Sequence, residues 1–147
     1  MRDQVFVSYS HRDKKFMEEL LTHLKPLLRS GSVNAWSDQQ IATGSMWFAQ
    51  IQAALQRTSA AVLLVSPDFL ASDFIHEHEL GPILKAAEEG GVRVLWVPIQ
   101  ASNFEETPLA KYQAVSPPDV PLGILGKAER NQAWVRVCKE IKQAVNP

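Results

Sequence analysis

The sequence has few of the residues that mark several common classes of protein. One cysteine, Cys138, stands in 147 residues, which excludes an intramolecular disulfide and a metal site built from several cysteines. Fifteen Lys and Arg against 16 Asp and Glu give a net charge of -1. This balance argues against nucleic acid as the main partner, because phosphate binding requires a concentrated basic surface. We therefore expect a near-neutral globular domain that does not bind nucleic acid directly.

Long apolar runs are also missing. The longest, at residues 60–65, is far shorter than the roughly 20 residues that cross a bilayer. The N-terminus leads directly into a strand-like Val5-Phe6-Val7, without the apolar stretch of a signal peptide. Together with the scarcity of cysteine, these features predict a cytoplasmic protein with no membrane association.

Several catalytic motifs are missing as well. There is no G-x-G-x-x-G and no G-x-x-x-x-G-K-[ST], so phosphate-binding loops of those types are excluded. No G-x-S-x-G elbow of a serine hydrolase occurs. The run His-Glu-His-Glu at 76–79 suggests a metal site, but residues two apart point to different sides of a helix. We therefore expect no metal ion.

The segments that are present alternate between two kinds. Apolar, β-branched runs typical of strands occur at 5–7, 60–65 and 92–97, with a weaker one at 33–36. Apolar residues with helical spacing fill 16–28, 47–55 and 134–145. We predict a flavodoxin-like three-layer α/β sandwich with a mostly parallel central sheet of roughly five strands. The proline-rich region 100–127 is predicted to be irregular, with one short helix and a short edge strand.

A helix predicted to begin near Ser72 carries the most informative side chain. At about 100° per residue, its apolar arc consists of Ile75, Leu80, Ile83, Leu84, Ala86 and Ala87. Glu79 lies inside this arc, and Glu77 lies at its edge. A carboxylate on an inward face costs free energy unless it is paired, protonated or used in function. The spacing leaves two interpretations open. Glu79 is either a structural glutamate that hydrogen-bonds a neighbouring loop or a functional glutamate.

Three stretches, taken in order, resemble a TIR (Toll/interleukin-1 receptor) domain of the bacterial type. VFVSYS at 5–10 resembles the opening box of the family, and DQQIATG at 38–44, followed by Trp47, resembles its long second loop. LLVSPDFLASDF at 63–74 resembles the third box, and Trp134 stands where the family often has an aromatic residue on its last helix. The likeness covers nearly the whole chain. It implies one TIR domain over 1–147, which a longer protein could contain.

The resemblance implies one of two functions. Many bacterial and plant TIR domains cleave NAD⁺ between nicotinamide and ribose, using a glutamate of the third-box helix. Eukaryotic members place this glutamate four residues after an aromatic, where this chain has His78 after Phe74. Bacterial relatives often have one extra residue between the aromatic and the glutamate, and this spacing leads to Glu79. Glu79 is therefore our expected catalytic residue, with Glu77 as the alternative. The other class consists of non-catalytic modules that signal through TIR–TIR contacts. Another flavodoxin-like binding domain is a third interpretation.

The resemblance also implies residues that contact the substrate. Phe74 and Trp47 would form an apolar wall for the nicotinamide or base, although core packing explains them equally well. Ser10 and His11 match positions that approach the dinucleotide, although turn formation and helix capping are an alternative. Asp38 matches an acidic residue that lines the pocket, or is a solvated turn residue.

Partners follow from the same resemblance. NAD⁺ is the expected substrate, and no further cofactor is expected. Other TIR domains would assemble with this one into a homo-oligomer or filament through the loop at 38–45. A fused or associated sensor domain would trigger this assembly. The implied setting is bacterial antiphage defence, in which NAD⁺ is hydrolysed or converted into a cyclised ADP-ribose.

Overall fold

A computed structural model describes residues 4–37 and 47–146 of the chain. Four strands and six α-helices occur in these residues, joined by short 3₁₀ turns and one π-helical turn. The strands are β1 (Gln4–Ser8), β2 (Asn34–Ser37), β3 (Thr58–Val65) and β4 (Arg93–Pro98). The helices are α1 (Lys14–Arg29), α2 (Trp47–Arg57), α3 (Pro67–Ala71), α4 (Asp73–Ile75), α5 (Gly81–Glu88) and α6 (Lys127–Val145).

The four strands form one parallel sheet in the order β2-β1-β3-β4. All four strands predicted from the apolar runs are confirmed, including the weak β2. In the register of the sheet, Ser8 at the end of β1 lies beside Leu63 of β3. The loops that follow β1 and β3 therefore leave the sheet at the same edge, where ligands of open parallel sheets commonly bind.

Helices cover both faces of the sheet because its buried strands are apolar on both sides. Alternate residues of the strands pack with α1 and α6 on one face and with α2, α3 and α5 on the other. On β3, for example, Val62 and Leu64 face the first group of helices, whereas Leu63 and Val65 face the second. None of the helices within 4–37 and 47–146 combines the length and hydropathy of a bilayer-spanning segment.

A small polar network fastens α6 to α1. The guanidinium of Arg130 donates to Glu19 Oε2 at 3.0 Å, and the indole N–H of Trp134 donates to Glu19 Oε1 at 2.9 Å. Arg130 also donates to the carbonyl of Leu122 at 3.1 Å and lies 5.3 Å from the ring centre of Phe16. The carboxylate of Glu19 thus has a charged donor on one oxygen and a neutral donor on the other.

The predicted short edge strand at 100–127 is wrong for the described residues, which contain four strands instead of about five. Val115 makes a single ladder-like bond, in which its N–H donates to the carbonyl of Trp96 at 2.9 Å. Pro117 and Pro118 follow almost at once and have no N–H to extend the pairing. The region holds three 3₁₀ turns instead of one short helix: Phe104–Glu106, Pro108–Lys111 and Leu122–Ile124.

The helix after Ser72 is not regular. The prediction of its apolar arc assumed a uniform rotation of about 100° per residue. Between α4 and α5 lies a π-helical turn, His76–Leu80, which the N–H of Gly81 closes on the carbonyl of His76. Pro82 explains the widening, because it lacks an N–H for the carbonyl four residues back and its ring would clash with that carbonyl. A Cβ on residue 81 would approach the His76 oxygen to 3.3 Å, so glycine suits this close contact.

Candidate functional site

An open pocket of about 670 Å³ lies where β1 and β3 end. One wall comes from the loop after β1, and the other from the segment that follows β3. The lining residues are Tyr9, Ser10, His11 and Arg12 on the first wall and Asp68, Ala71, Ser72, Phe74 and Ile75 on the second. A pocket of this size at the carboxyl edge of a parallel sheet is a common kind of small-molecule site.

Hydroxyl groups shape both walls by capping short helices. Ser10 Oγ accepts the N–H of Arg12 at 3.3 Å and begins a 3₁₀ turn, His11–Asp13. On the opposite wall, Ser66 Oγ accepts the N–H of Phe69 at 3.0 Å, and Ser72 Oγ accepts that of Ile75 at 3.2 Å. The predicted capping role of Ser10 is therefore confirmed, and it does not conflict with a position in the pocket.

Asp13 connects the two walls. Its buried carboxylate accepts a hydrogen bond from the hydroxyl of Ser66, which in turn caps α3. Burial raises the pKa of the Asp13 carboxyl, the bond from Ser66 lowers it in part, and the nearby charge of Asp68 raises it further. No pattern in the sequence indicates this connection, because an aspartate in a loop after a strand has many ordinary explanations.

Glu79 is fully buried, as its inward position in the apolar arc predicts. Its Oε1 accepts a hydrogen bond of 2.7 Å from the hydroxyl of Ser8, the last residue of β1, which is also fully buried. Residues next to this pair contribute to the pocket: Tyr9 follows Ser8, and Ile75 lies about one turn before Glu79. The carboxylate itself is not among the groups that line the pocket. It lies behind the wall.

Glu77, the alternative catalytic residue, lies on the solvent side of the same helix. Its side chain is 66% exposed, and one carboxylate oxygen is 3.8 Å from His78 Nε2. The ring of His78 packs at 5.2 Å from that of Phe74, which is 38% exposed in the pocket. The two glutamates therefore differ sharply in their surroundings.

Of the five predicted substrate-contacting residues, the structure brings three together. Ser10, His11 and Phe74 line the same pocket from opposite walls. Trp47 begins α2, but its side chain, like the whole of Asp38, lies outside the part of the chain that the structure describes. Six other residues also line the pocket and were not predicted to contact substrate: Arg12, Asp68, Tyr9, Ala71, Ser72 and Ile75. The first two could have been found from their positions directly after β1 and β3.

Other reactive groups do not add to this site. Within residues 4–37 and 47–146, no three His, Cys, Asp or Glu side chains are grouped as metal ligands would be. Cys138 is buried in α6, and burial raises the pKa of its thiol to about 11. Because the thiolate is the nucleophile, this cysteine is unreactive at neutral pH.

These features define a parallel α/β domain with a pocket of polar and apolar residues at the carboxyl edge of its sheet. The chain belongs to the TIR domain family, whose profile matches residues 5–120.

One relative matches nearly the whole chain in sequence. The uncharacterized protein y4lF of Sinorhizobium fredii (strain NBRC 101917 / NGR234) is 29% identical over 140 residues, or 95% of this chain. The match covers 43% of that longer protein.

Two solved structures share the fold. The TIR domain of the Toll-related receptor TRR-2 of Hydra magnipapillata matches with a TM-score of 0.63 at 17% identity, covering 97% of this chain and 99% of that one. The TIR domains of the activated Roq1 resistosome, which recognises the pathogen effector XopQ, match with a TM-score of 0.54 at 18% identity. That match covers 92% of this chain and 83% of the other.

Proposed function

We propose that this TIR domain cleaves NAD⁺ between nicotinamide and ribose, with Glu79 as its catalytic carboxylate. The observation that carries the proposal is the inward position of Glu79, next to the end of β1 and behind the wall of the pocket. A glutamate kept fully buried costs free energy, and such a group close to a pocket is a candidate functional residue. Membership of the TIR family, which includes NAD⁺-cleaving enzymes, supports the same reaction.

The chemistry requires little from the protein beyond a well-placed negative charge. When the bond from C1′ of the ribose to the nicotinamide nitrogen breaks, its electron pair leaves with nicotinamide and neutralises the pyridinium ring. The ribosyl centre becomes oxocarbenium-like, and a nearby carboxylate stabilises it. Water then adds at C1′ and releases a proton, giving ADP-ribose, or an internal nucleophile adds to give a cyclised product.

The pocket walls fit parts of a dinucleotide. Phe74 offers an aromatic surface to the nicotinamide or the base. On the other wall, Ser10 supplies a hydroxyl, and His11 and the neighbouring Arg12 supply donors suited to phosphate oxygens. We include Asp38 and Trp47 in the proposed binding site on the family resemblance alone.

Self-assembly is the proposed trigger of the reaction. In the single chain, Glu79 is fully enclosed, so the carboxylate must move to reach a ribose in the pocket. We propose that contact with further TIR domains causes this movement, and that a fused or associated sensor domain brings them together. The match covers only 43% of a longer bacterial protein, so a TIR domain of this kind occurs beside further sequence. We propose the sensor domain and a role in bacterial antiphage defence on the family resemblance alone.

The test compares two glutamates that are two residues apart on one helix. NAD⁺ cleavage is followed as nicotinamide release, with the protein at high concentration. Glu79→Gln should lower the rate by at least about 100-fold, the size expected for loss of a transition-state charge partner. Glu77→Gln, the matched control on the exposed side, should retain the wild-type rate. Loss of activity in Glu77→Gln alone would move the catalytic assignment to that residue.

A non-catalytic TIR interaction module is the second candidate, and one observation favours it. Glu79 has no exposed surface and does not line the pocket. A purely structural glutamate would have the same position. In that case neither dilute nor concentrated protein releases nicotinamide, and the same loops serve only for docking between TIR domains.

A further inference from the structure

The hydrogen bond between Ser8 and Glu79 connects two distant parts of the chain at the proposed catalytic residue. The hydroxyl of Ser8 donates to Glu79 Oε1 at 2.7 Å across a separation of 71 positions, and both residues are fully buried. A carboxylate removed from water needs hydrogen-bond donors in place of its hydration. The bond therefore stabilises Glu79 in a position where it is fully buried and does not line the pocket.

The local helix is suited to a change of position. Glu79 lies in the π-helical turn His76–Leu80, which contains one residue more per turn than the helices on either side. Pro82 removes the regular bond to the carbonyl of His78. A shift of this turn therefore does not have to break an i→i+4 bond between residue 82 and the carbonyl of His78. π-Helical turns occur frequently at functional sites.

We propose that Ser8 is a positioning residue that holds the carboxylate of Glu79 away from the pocket until the chain assembles. This inference rests on the proposed function, in which Glu79 is the reactive group. Ser8 itself touches no substrate and acts only through Glu79. When assembly moves the turn, the carboxylate exchanges the hydroxyl of Ser8 for the ribose of the bound dinucleotide.

The first experiment measures NAD⁺ cleavage by dilute, unassembled protein. Ser8→Ala removes the donor, and a hydrogen bond to an ionised group is strong enough that the population with Glu79 in the pocket should rise about 10- to 100-fold. Basal nicotinamide release should rise by the same factor, while concentrated protein changes much less. If the bond between Ser8 and Glu79 served only stability, Ser8→Ala would lower the basal rate of nicotinamide release instead of raising it.

Two control variants isolate the cause. Ser116→Ala makes the same substitution at another buried serine, on the loop before α6, and should leave the basal rate unchanged. Glu79→Gln combined with Ser8→Ala should abolish the gain, because the gain passes through this carboxylate. A gain that survives in the double variant would overturn the proposal.

The second experiment does not depend on activity. Carboxyl groups are coupled to an amine with a water-soluble carbodiimide, and the labelled peptides are measured by mass spectrometry. Ser8→Ala should increase the labelling of Glu79 about 10-fold or more. Glu77, which is exposed in the folded chain, should be labelled equally in both proteins and serves as the internal standard.

The two experiments separate failure of this inference from failure of the proposed function. If no variant releases nicotinamide at any concentration, the proposed function fails, and the labelling still decides whether Ser8 holds Glu79. If a folded Ser8→Ala protein keeps wild-type labelling and a wild-type basal rate, the role of Ser8 is wrong. Should Ser8→Ala fail to fold, Ser8→Cys keeps the approximate volume with a weaker donor and should show a smaller change of the same sign.

Discussion

Glu19 and Glu79 are both held by hydrogen bonds inside the fold, but their partners differ in kind. Glu19 receives the guanidinium of Arg130 and the indole N–H of Trp134, which fasten α1 to α6. Glu79 receives the hydroxyl of Ser8 and is more deeply buried, with no exposed surface against 26% for the side chain of Glu19. Glu19 thus has a permanent cation among its partners, and Glu79 has a neutral hydroxyl among its own.

On the proposed function, the difference distinguishes Glu19 as a structural carboxylate from Glu79 as a reactive one. Breaking the pair of Glu19 leaves a partly buried guanidinium without its counter-charge, which is costly. Breaking the bond between Glu79 and Ser8 leaves a neutral hydroxyl without its acceptor, and an unpaired hydroxyl costs less than an unpaired guanidinium. The comparison predicts that substitutions near Glu19 change stability, whereas substitutions at Glu79 change activity.

The largest effect on stability should come from Arg130→Ala. It removes the bonds to Glu19 and to the carbonyl of Leu122 together with the stacking on Phe16. We expect the free energy of unfolding in urea to fall by about 2 to 3 kcal/mol. Arg136→Ala, at an exposed position of the same helix, is the matched control and should change it by less than about 0.5 kcal/mol. Equal effects of the two substitutions would show that the network adds nothing.

Glu79→Gln should have a smaller effect on stability than Arg130→Ala. Glutamine keeps an oxygen that accepts the hydroxyl of Ser8 and is close in size to the fully buried glutamate that it replaces. The free energy of unfolding should therefore stay within about 1 kcal/mol of the wild-type value or rise. If the free energy of unfolding of Glu79→Gln in urea fell by more than about 3 kcal/mol, Glu79 would be a structural group like Glu19.

The smallest effect concerns Asp13, a third buried carboxyl. Its pKa in the folded chain is raised by burial above the ordinary value of 3.8, so folding favours the protonated form. The stability that this group contributes is present below pH 3.8 and is lost as the pH rises through the higher folded pKa. Asp13→Asn does not titrate and still accepts the Ser66 hydroxyl. Its stability relative to wild type should therefore increase as the pH rises through this range.

Unfolding titrations between pH 3 and 7 measure this difference. A stability difference that falls with rising pH would mean that the bond from Ser66 outweighs burial and holds the pKa of Asp13 below its ordinary value.

Periodicity predicted most of the fold correctly. β3 and β4 are continuous apolar runs covered on both faces, and α1 and α6 carry regular apolar stripes, so each element follows from its local pattern. The predicted edge strand was wrong because one backbone bond, from Val115 to Trp96, is all that the prolines after it allow. The prediction of a regular helix around Glu79 was wrong because Pro82 widens the preceding turn into a π-helical one.

The candidate site was predicted less completely than the fold. Ser10, His11 and Phe74 meet in one pocket because loops at the carboxyl ends of neighbouring parallel strands leave the sheet together. The bond from Ser66 to Asp13 and the bond from Ser8 to Glu79 join residues 53 and 71 positions apart. No local pattern encodes such pairs, because they depend on the register between strands and on the exact rotation of a helix.

The sequence by itself determined the alternation of strands and helices, the inward position of Glu79 and the loops that form the pocket. Each of these depends on the order of apolar and polar residues over one or two turns of chain. Only the tertiary structure decided that Glu79 lies behind the pocket wall, bonded to Ser8, while Glu77 faces solvent. This outcome depends on how the turn before Pro82 packs against the end of β1, and that packing is a property of the assembled domain.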